Sequence, residues 1–304
     1  MNFKYKAYIQ KFLSAIPDGE KLNYFFQKYI TNSLPISNED LSEKTDTVLL
    51  HFNKFRKYNK EINIGNCRYY EFGSGYDLVI PIGIRLLGFG ELTCIDIREL
   101  VFPDLINDTI KRLKNYEFKF GSNADILNNV PLLSEKNFRK ILKENFSINY
   151  IAPLDARNTG IEANSIDFIL SNATMEHIPE KDLPEIMNEC YRILRPGGII
   201  SNVIDYRDHW SFFDNKISVY NYLQYSENEF EKINPSIMYQ NRMRHKDYMK
   251  IIKQTGFKIL EEIKNVPDEK EKKQLSEVRL NEHFQNYYTF EELCIKSSML
   301  VLSK

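Results

Sequence analysis

The chain has 304 residues, which at roughly 150 residues per domain allows one large domain or two ordinary ones. Hydrophobic residues make up 42% and charged residues 27%, close to globular averages, which excludes a disordered, collagen-like or coiled-coil chain. Lys and Arg number 41 against 42 Asp and Glu, a net charge of -1, so no overall basic field holds nucleic acid by counterion release. No apolar run approaches the roughly 18 residues a membrane span requires. The start, Met1-Asn2-Phe3-Lys4-Tyr5-Lys6, leads into polar-interrupted sequence rather than a signal-peptide block. These features predict a soluble cytoplasmic protein with no nucleic-acid partner, and say nothing of oligomeric state.

Residues 1–66 read as a helical N-terminal cap. Phe12, Leu13 and Ile16 are spaced for one helical face, as are Val48, Leu49, Phe52 and Phe55. Ser37-Asn38-Glu39-Asp40 has the form of a capping box ahead of the second run.

From residue 67 to 304 the pattern changes to short apolar strands separated by turns and amphipathic helices. Strands are expected at 69–72, 92–97, 148–152, 166–170, 199–204, 257–263 and 298–302. A stripe of Leu183, Ile186, Met187, Cys190, Ile193 and Leu194 predicts a helix closed by Pro196-Gly197-Gly198, and a second helix with Tyr248, Ile251 and Ile252 stops at Gly256. This alternation predicts an α/β fold with a doubly wound, mostly parallel sheet. The last two strands, joined by a long non-helical excursion, predict an antiparallel edge pair. Residues 103–147 and 206–247 exceed this minimal alternation, and the run Asp268-Glu269-Lys270-Glu271-Lys272-Lys273 reads as a solvated loop.

The four cysteines, Cys67, Cys94, Cys190 and Cys294, show no CxxC and no metal-ligand spacing. They read as reduced, mostly buried small hydrophobes. The five histidines, His51, His177, His209, His245 and His283, form no HxxxH or HExxH pattern. No metal is therefore expected.

The chemistry centres on Glu71-Phe72-Gly73-Ser74-Gly75. Glycines after a strand let the backbone turn sharply and approach a ligand, and the next helix offers unpaired N–H groups. The dinucleotide fingerprint would place a small residue at 78, where Leu78 stands. Asp96, with Ile97 after it, falls at the end of the second strand, about 20 residues beyond the turn, where a carboxylate accepts both ribose hydroxyls. Asp155, beside Ala156 after the third strand, is spaced to accept from an adenine amino group or to cap its own loop.

Glu71-x-Gly73-x-Gly75, Asp96, Asp155, Ile166-Asp167-Phe168 with Glu176-His177, and Leu194-Arg195-Pro196-Gly197-Gly198 together resemble the class I S-adenosylmethionine-dependent methyltransferases of the type 11-like group. The resemblance covers residues 68–205, and 245–304 more loosely. It implies a seven-stranded sheet whose last strand is antiparallel; the helical N-terminal cap and the insert at 206–247 lie outside the shared motifs. It also implies S-adenosyl-L-methionine as cofactor, with Glu71, Gly73, Ser74 and Gly75 near its methionine part. Asp96 and Ile97 would then lie at the ribose, Asp155 and Ala156 at the adenine, and Asn172 beside the sulfonium. Where many members have a third glycine, Tyr76 stands here.

Methyl transfer from a sulfonium is an in-line displacement that needs a base only for a poorly acidic hydroxyl or a protonated amine. His177 after the fourth strand and His209 after the fifth are the candidates. The insert at 206–247 is rich in Tyr, Phe and Trp, the composition of a substrate-side lid or of an ordinary core. The expectation is an enzyme methylating a small-molecule or glycan acceptor, at oxygen. The alternatives are an N-methyltransferase of a small molecule and a catalytically silent subunit of the same fold.

Overall fold

The computed structural model describes residues 2–304; Met1, the first residue of the expected cap, lies outside them. Helices α1 (Phe3–Ser14), α2 (Gly19–Phe25) and α3 (Asn38–Tyr58) come first. The α3 start is the predicted capping box: Ser37 accepts from the Asp40 amide, and the Asp40 side chain accepts from the Ser37 amide. These reciprocal bonds satisfy two amides that no helical turn could reach. In α1 only Leu13 of the predicted stripe is buried, and Phe12 is 66% exposed.

The rest of the chain runs β1 (Arg68–Phe72), α4 (Val79–Leu86), β2 (Glu91–Ile95), α5 (Pro103–Leu113), α6 (Glu117–Phe120), α7 (Phe138–Phe146), β3 (Ile148–Ile151) and β4 (Ile166–Asn172). It continues through α8 (Leu183–Ile193), β5 (Leu194–Asp205), α9 (Glu227–Ile233), α10 (His245–Thr255), β6 (Lys258–Asn265), α11 (Glu269–Ser276), α12 (Glu282–Tyr287), α13 (Phe290–Cys294) and β7 (Ser297–Ser303). The strands form one seven-stranded sheet in the order β3-β2-β1-β4-β5-β7-β6. β1 to β5 pair in parallel, and β7 runs antiparallel to both β5 and β6.

The last two strands form the expected antiparallel edge pair, with β7 inserted between β5 and the outermost β6, and three other expectations change. The connection from β6 to β7 is helical, and α11 is built from the charge run: Asp268 and Glu271 make a second capping box, and a helix exposes mixed charges on its outer face as readily as a loop does. α8 ends at Ile193, before the Pro-Gly-Gly turn, which lies in β5.

Alternate strand residues enter opposite cores, as a sheet covered on both faces requires. Tyr69, Leu92, Cys94, Phe168 and Ile199 pack with Val48 and Phe55 of α3 and the apolar face of α4. Tyr70, Ile95, Ile169 and Ile200 pack with α8 and α10. A third core joins Phe3 and Ala7 to Trp210, Tyr220, Tyr222 and Phe230 of the insert and to α11–α13. Most of the insert's aromatic density thus makes a core, because rings brought together by three non-contiguous segments bury more area there than at a rim. Arg244, 0% exposed, ties these segments by donating to the carbonyls of Leu293 at 2.7 Å and Ile295 at 2.5 Å and to the Tyr222 hydroxyl at 2.8 Å. All four cysteines are free and buried, and no helix among the described residues is long and apolar enough to cross a membrane.

Candidate active site

The carboxyl ends of the parallel strands converge on the turn after β1. Gly73 and Gly75 have φ of 72° and 76°, the left-handed region that favours glycine. The Gly73 amide donates to the Ile95 carbonyl at 2.9 Å, which ties the turn to the end of β2, and Thr174 Oγ1 donates to the Gly73 carbonyl at 3.2 Å. A Cβ on Gly73 would lie 2.2 Å from Thr174 Cγ2, whereas one on Gly75 would meet nothing within 4 Å. Gly73 is therefore closed by protein and Gly75 faces open space. Between them the buried Ser74 hydroxyl has no hydrogen-bond partner.

Asp96 follows β2 and is 6% exposed. Among the described residues its carboxylate accepts from the Arg98 amide at a long 3.3 Å, with the Ile97 amide beside it. Burial with so little compensation pushes its pKa up to about 6. Ile97 is 60% exposed beside it. Glu71, within β1, accepts from the Tyr69 hydroxyl at 2.7 Å, and burial pushes its pKa up to about 8.

Two predicted contacts are already engaged within the protein. Asp155 is held by Arg157, whose Nε lies 3.1 Å and 3.0 Å from its two oxygens and whose Nη2 lies 2.6 Å away. That pairing lowers its pKa. Asn172, at the end of β4, accepts from His51 Nε2 at 3.2 Å, with His51 Nδ1 at 2.7 Å from Ser201 Oγ. His51, 0% exposed on α3, was not singled out in the sequence: a lone histidine at a helical core spacing carries no signal for its partners. Ala156 is half-buried beside Asp155.

His177 and His209 come from different connections, and their ring centroids lie 4.9 Å apart. The end of the insert holds both. Tyr239 O accepts from His177 Nδ1 at 2.6 Å, Gln240 Oε1 accepts from the His209 amide at 3.2 Å, and the Asn241 amide donates to Glu176 O at 2.7 Å. His177 keeps an open edge to solvent, yet most of its ring is surrounded by protein; this burial and the His209 imidazole push its pKa down to about 4.

The helices α1 and α2 flank this end of the sheet. Arg98 pairs with Glu20, and Tyr24 stacks on Phe102 with centroids 3.7 Å apart. A cleft of about 840 Å³ opens between Leu13, Glu20, Arg98, Phe102 and Ile237. It lies beside the loop after Asp96 and does not include the glycine turn.

A family model described as a methyltransferase domain matches residues 130–201. No curated protein sequence matches the chain. Similar solved structures include phosphoethanolamine N-methyltransferase 2 of Haemonchus contortus with phosphomonomethylethanolamine and S-adenosylhomocysteine, 18% identical with TM-score 0.46 over 85% of this chain and 52% of that one. Geranyl diphosphate C-methyltransferase of Streptomyces coelicolor A3(2), with Mg2+, geranyl diphosphate and S-adenosylhomocysteine, is 9% identical with TM-score 0.47, covering 89% of this chain and 85% of that one. An S-adenosylmethionine-dependent methyltransferase of Methanosarcina mazei is 14% identical with TM-score 0.43, covering 78% and 92%. The chain spans about half the length of the Haemonchus enzyme. The match to a methyltransferase-domain model spans residues 130–201, the stretch that holds β3, β4 and α8 and enters β5, and in that stretch the chain is similar to methyltransferases.

Proposed function

We propose that the chain transfers a methyl group from S-adenosyl-L-methionine to a small-molecule or glycan acceptor, at oxygen. One observation carries the cofactor reading: Asp96, a nearly buried carboxylate with only weak backbone-amide donors among the described residues, stands where the Gly73 amide joins the two strand ends. Two ribose hydroxyls would supply the donors it lacks, since a buried carboxylate left this poorly solvated is costly. The orphaned Ser74 hydroxyl and the open space over Gly75 fit the methionine part. Glu71, Asp96 and Ile97, with Ala156, Asp155 and Asn172 beyond, complete the set that would hold the group. In this arrangement Asp155 and Asn172 act through their backbone and their rigid pairing, because their side-chain oxygens are already engaged.

When bound, the cofactor supplies an electrophilic methyl on a good leaving group. The chain's part is to hold the acceptor in line and to exclude water. His177 and His209, side by side at the ends of β4 and β5, are the groups proposed to receive the hydroxyl proton. His209 is favoured, since the lowered pKa of His177 makes it a weak base. Titration calorimetry with S-adenosylhomocysteine, followed by a labelled-methyl screen of hydroxyl, amine and carbon acceptors, tests the reading. Micromolar cofactor binding with label on a hydroxyl supports it, and absence of cofactor binding overturns it.

A further inference from the structure

We infer that Glu176, His177 and His209 form a divalent metal site. The three residues each place one ligand atom so that all lie within 4.8 Å of one another. The spacing of these residues in the chain shows no such site; the turn after β4 and the loop after β5 bring them together.

Three features mark the cluster as built. Glu176 is 1% exposed, and neither of its carboxylate oxygens has a hydrogen-bond partner among the described residues. A buried carboxylate in that state is expensive, and a cation is the compensation that a two-imidazole neighbourhood can hold. His177 Nδ1 lies 2.6 Å from a backbone carbonyl, so it must carry the proton, and Nε2 keeps its lone pair. A carbonyl that accepts the far ring proton in this way fixes the orientation of a metal-bound imidazole. His209 Nε2 is buried without a hydrogen bond, its nearest acid being Asp205 Oδ2 at 3.7 Å. Asp205 itself is engaged by Arg207 at 2.6 Å, so it is not counted as a ligand. The segment Tyr239-Gln240-Asn241 grips all three ligand-bearing stretches and fixes their spacing.

Two imidazoles and one carboxylate favour a first-row transition ion such as Mn2+, Fe2+, Co2+ or Zn2+ over Mg2+, and leave further positions open. Bond lengths of roughly 2.0–2.2 Å at near-tetrahedral angles put ligand atoms about 3.3–3.6 Å apart, so side chains whose ligand atoms lie within 4.8 Å of one another reach that spacing by closing by up to about 1 Å on binding. The site does not rest on the methyltransferase reading.

The test is titration of tag-free, chelator-stripped protein with Co2+ alone, followed by visible absorption. One equivalent with d–d bands of an imidazole-ligated ion is expected. Glu176→Gln and His209→Gln should each weaken Co2+ binding at least tenfold while S-adenosylhomocysteine binding is retained. Should Glu176→Gln fail to fold by circular dichroism, His177→Gln at the open rim replaces it with the same expectation. Absence of stoichiometric Co2+ binding, or unchanged affinity in these variants, overturns the site. Failure of the methyltransferase reading would show separately, as loss of cofactor binding by the wild type.

Discussion

His51 on α3 donates its Nε2 proton to Asn172 Oδ1 at 3.2 Å and lies 2.7 Å from Ser201 Oγ through Nδ1, which joins a cap helix to the ends of β4 and β5 across the sheet face. Burial pushes its pKa down to about 4, so the ring is neutral at physiological pH. Replacing it by Ala leaves the buried Ser201 hydroxyl and the half-buried Asn172 amide without this partner, and a cavity between helix and sheet. A loss of about 2–4 kcal/mol is expected, measured by urea denaturation. The pH dependence has a definite sign. The unfolded ring takes up a proton near 6.5 and the folded one only near 4, so the unfolded state binds more protons between these values. Stability attributable to His51 is complete above pH 6.5 and declines as pH falls towards 4.

Asp96→Ala should weaken S-adenosylhomocysteine binding at least tenfold, since a hydrogen bond to a charged group is worth about 1.5–3 kcal/mol. Hydroxyl donors favour the ionised carboxylate, whose pKa is about 6 in the free protein. Wild-type affinity should therefore be flat above pH 6 and fall below it by up to about tenfold per unit. Unaltered affinity in calorimetry across this range would remove Asp96 from the site.

The two turn glycines should separate fold from binding. Gly75→Val adds a side chain into open space at a φ of 76°, a strain of roughly 1–2 kcal/mol. It should leave circular dichroism unchanged while abolishing cofactor binding. Gly73→Val drives a side chain into Thr174 and should lower the melting temperature as well. Retained binding in folded Gly75→Val would place the cofactor elsewhere.

Glu71 carries a pH effect of opposite sign to His51. Its pKa rises from 4.5 to about 8 on folding through burial, so the native state holds the extra proton and stability declines as pH rises from 4.5 to 8. Between pH 6.5 and 8, above the unfolded histidine value, this loss amounts to about 2 kcal/mol. Glu71→Gln keeps the Tyr69 contact and should flatten that part of the stability curve. Glu176, raised by burial in the same direction, leaves a residual slope.

The seven strands, the mostly parallel sheet with an antiparallel edge pair, and the glycine turn followed by an acid were legible from residues alone, because each rests on local periodicity and on backbone needs that act over a few positions. Asp96 at the end of β2 follows from the same short-range arithmetic. The placement of β7 between β5 and β6 was not legible, because an antiparallel neighbour is chosen by the packing of the whole sheet. Nor was the fate of the insert's aromatics: Trp210, Tyr220 and Tyr222 are equally at home in a rim or a core, and only the arrival of Phe3 and α11–α13 decides. The Asp155–Arg157 pair, the His51–Asn172 bond and the meeting of Glu176, His177 and His209 depend on side-chain direction and, in the last two, on contacts between distant segments. Hydrophobic patterning reports which face of an element is buried. The polar partner waiting there is set by tertiary structure.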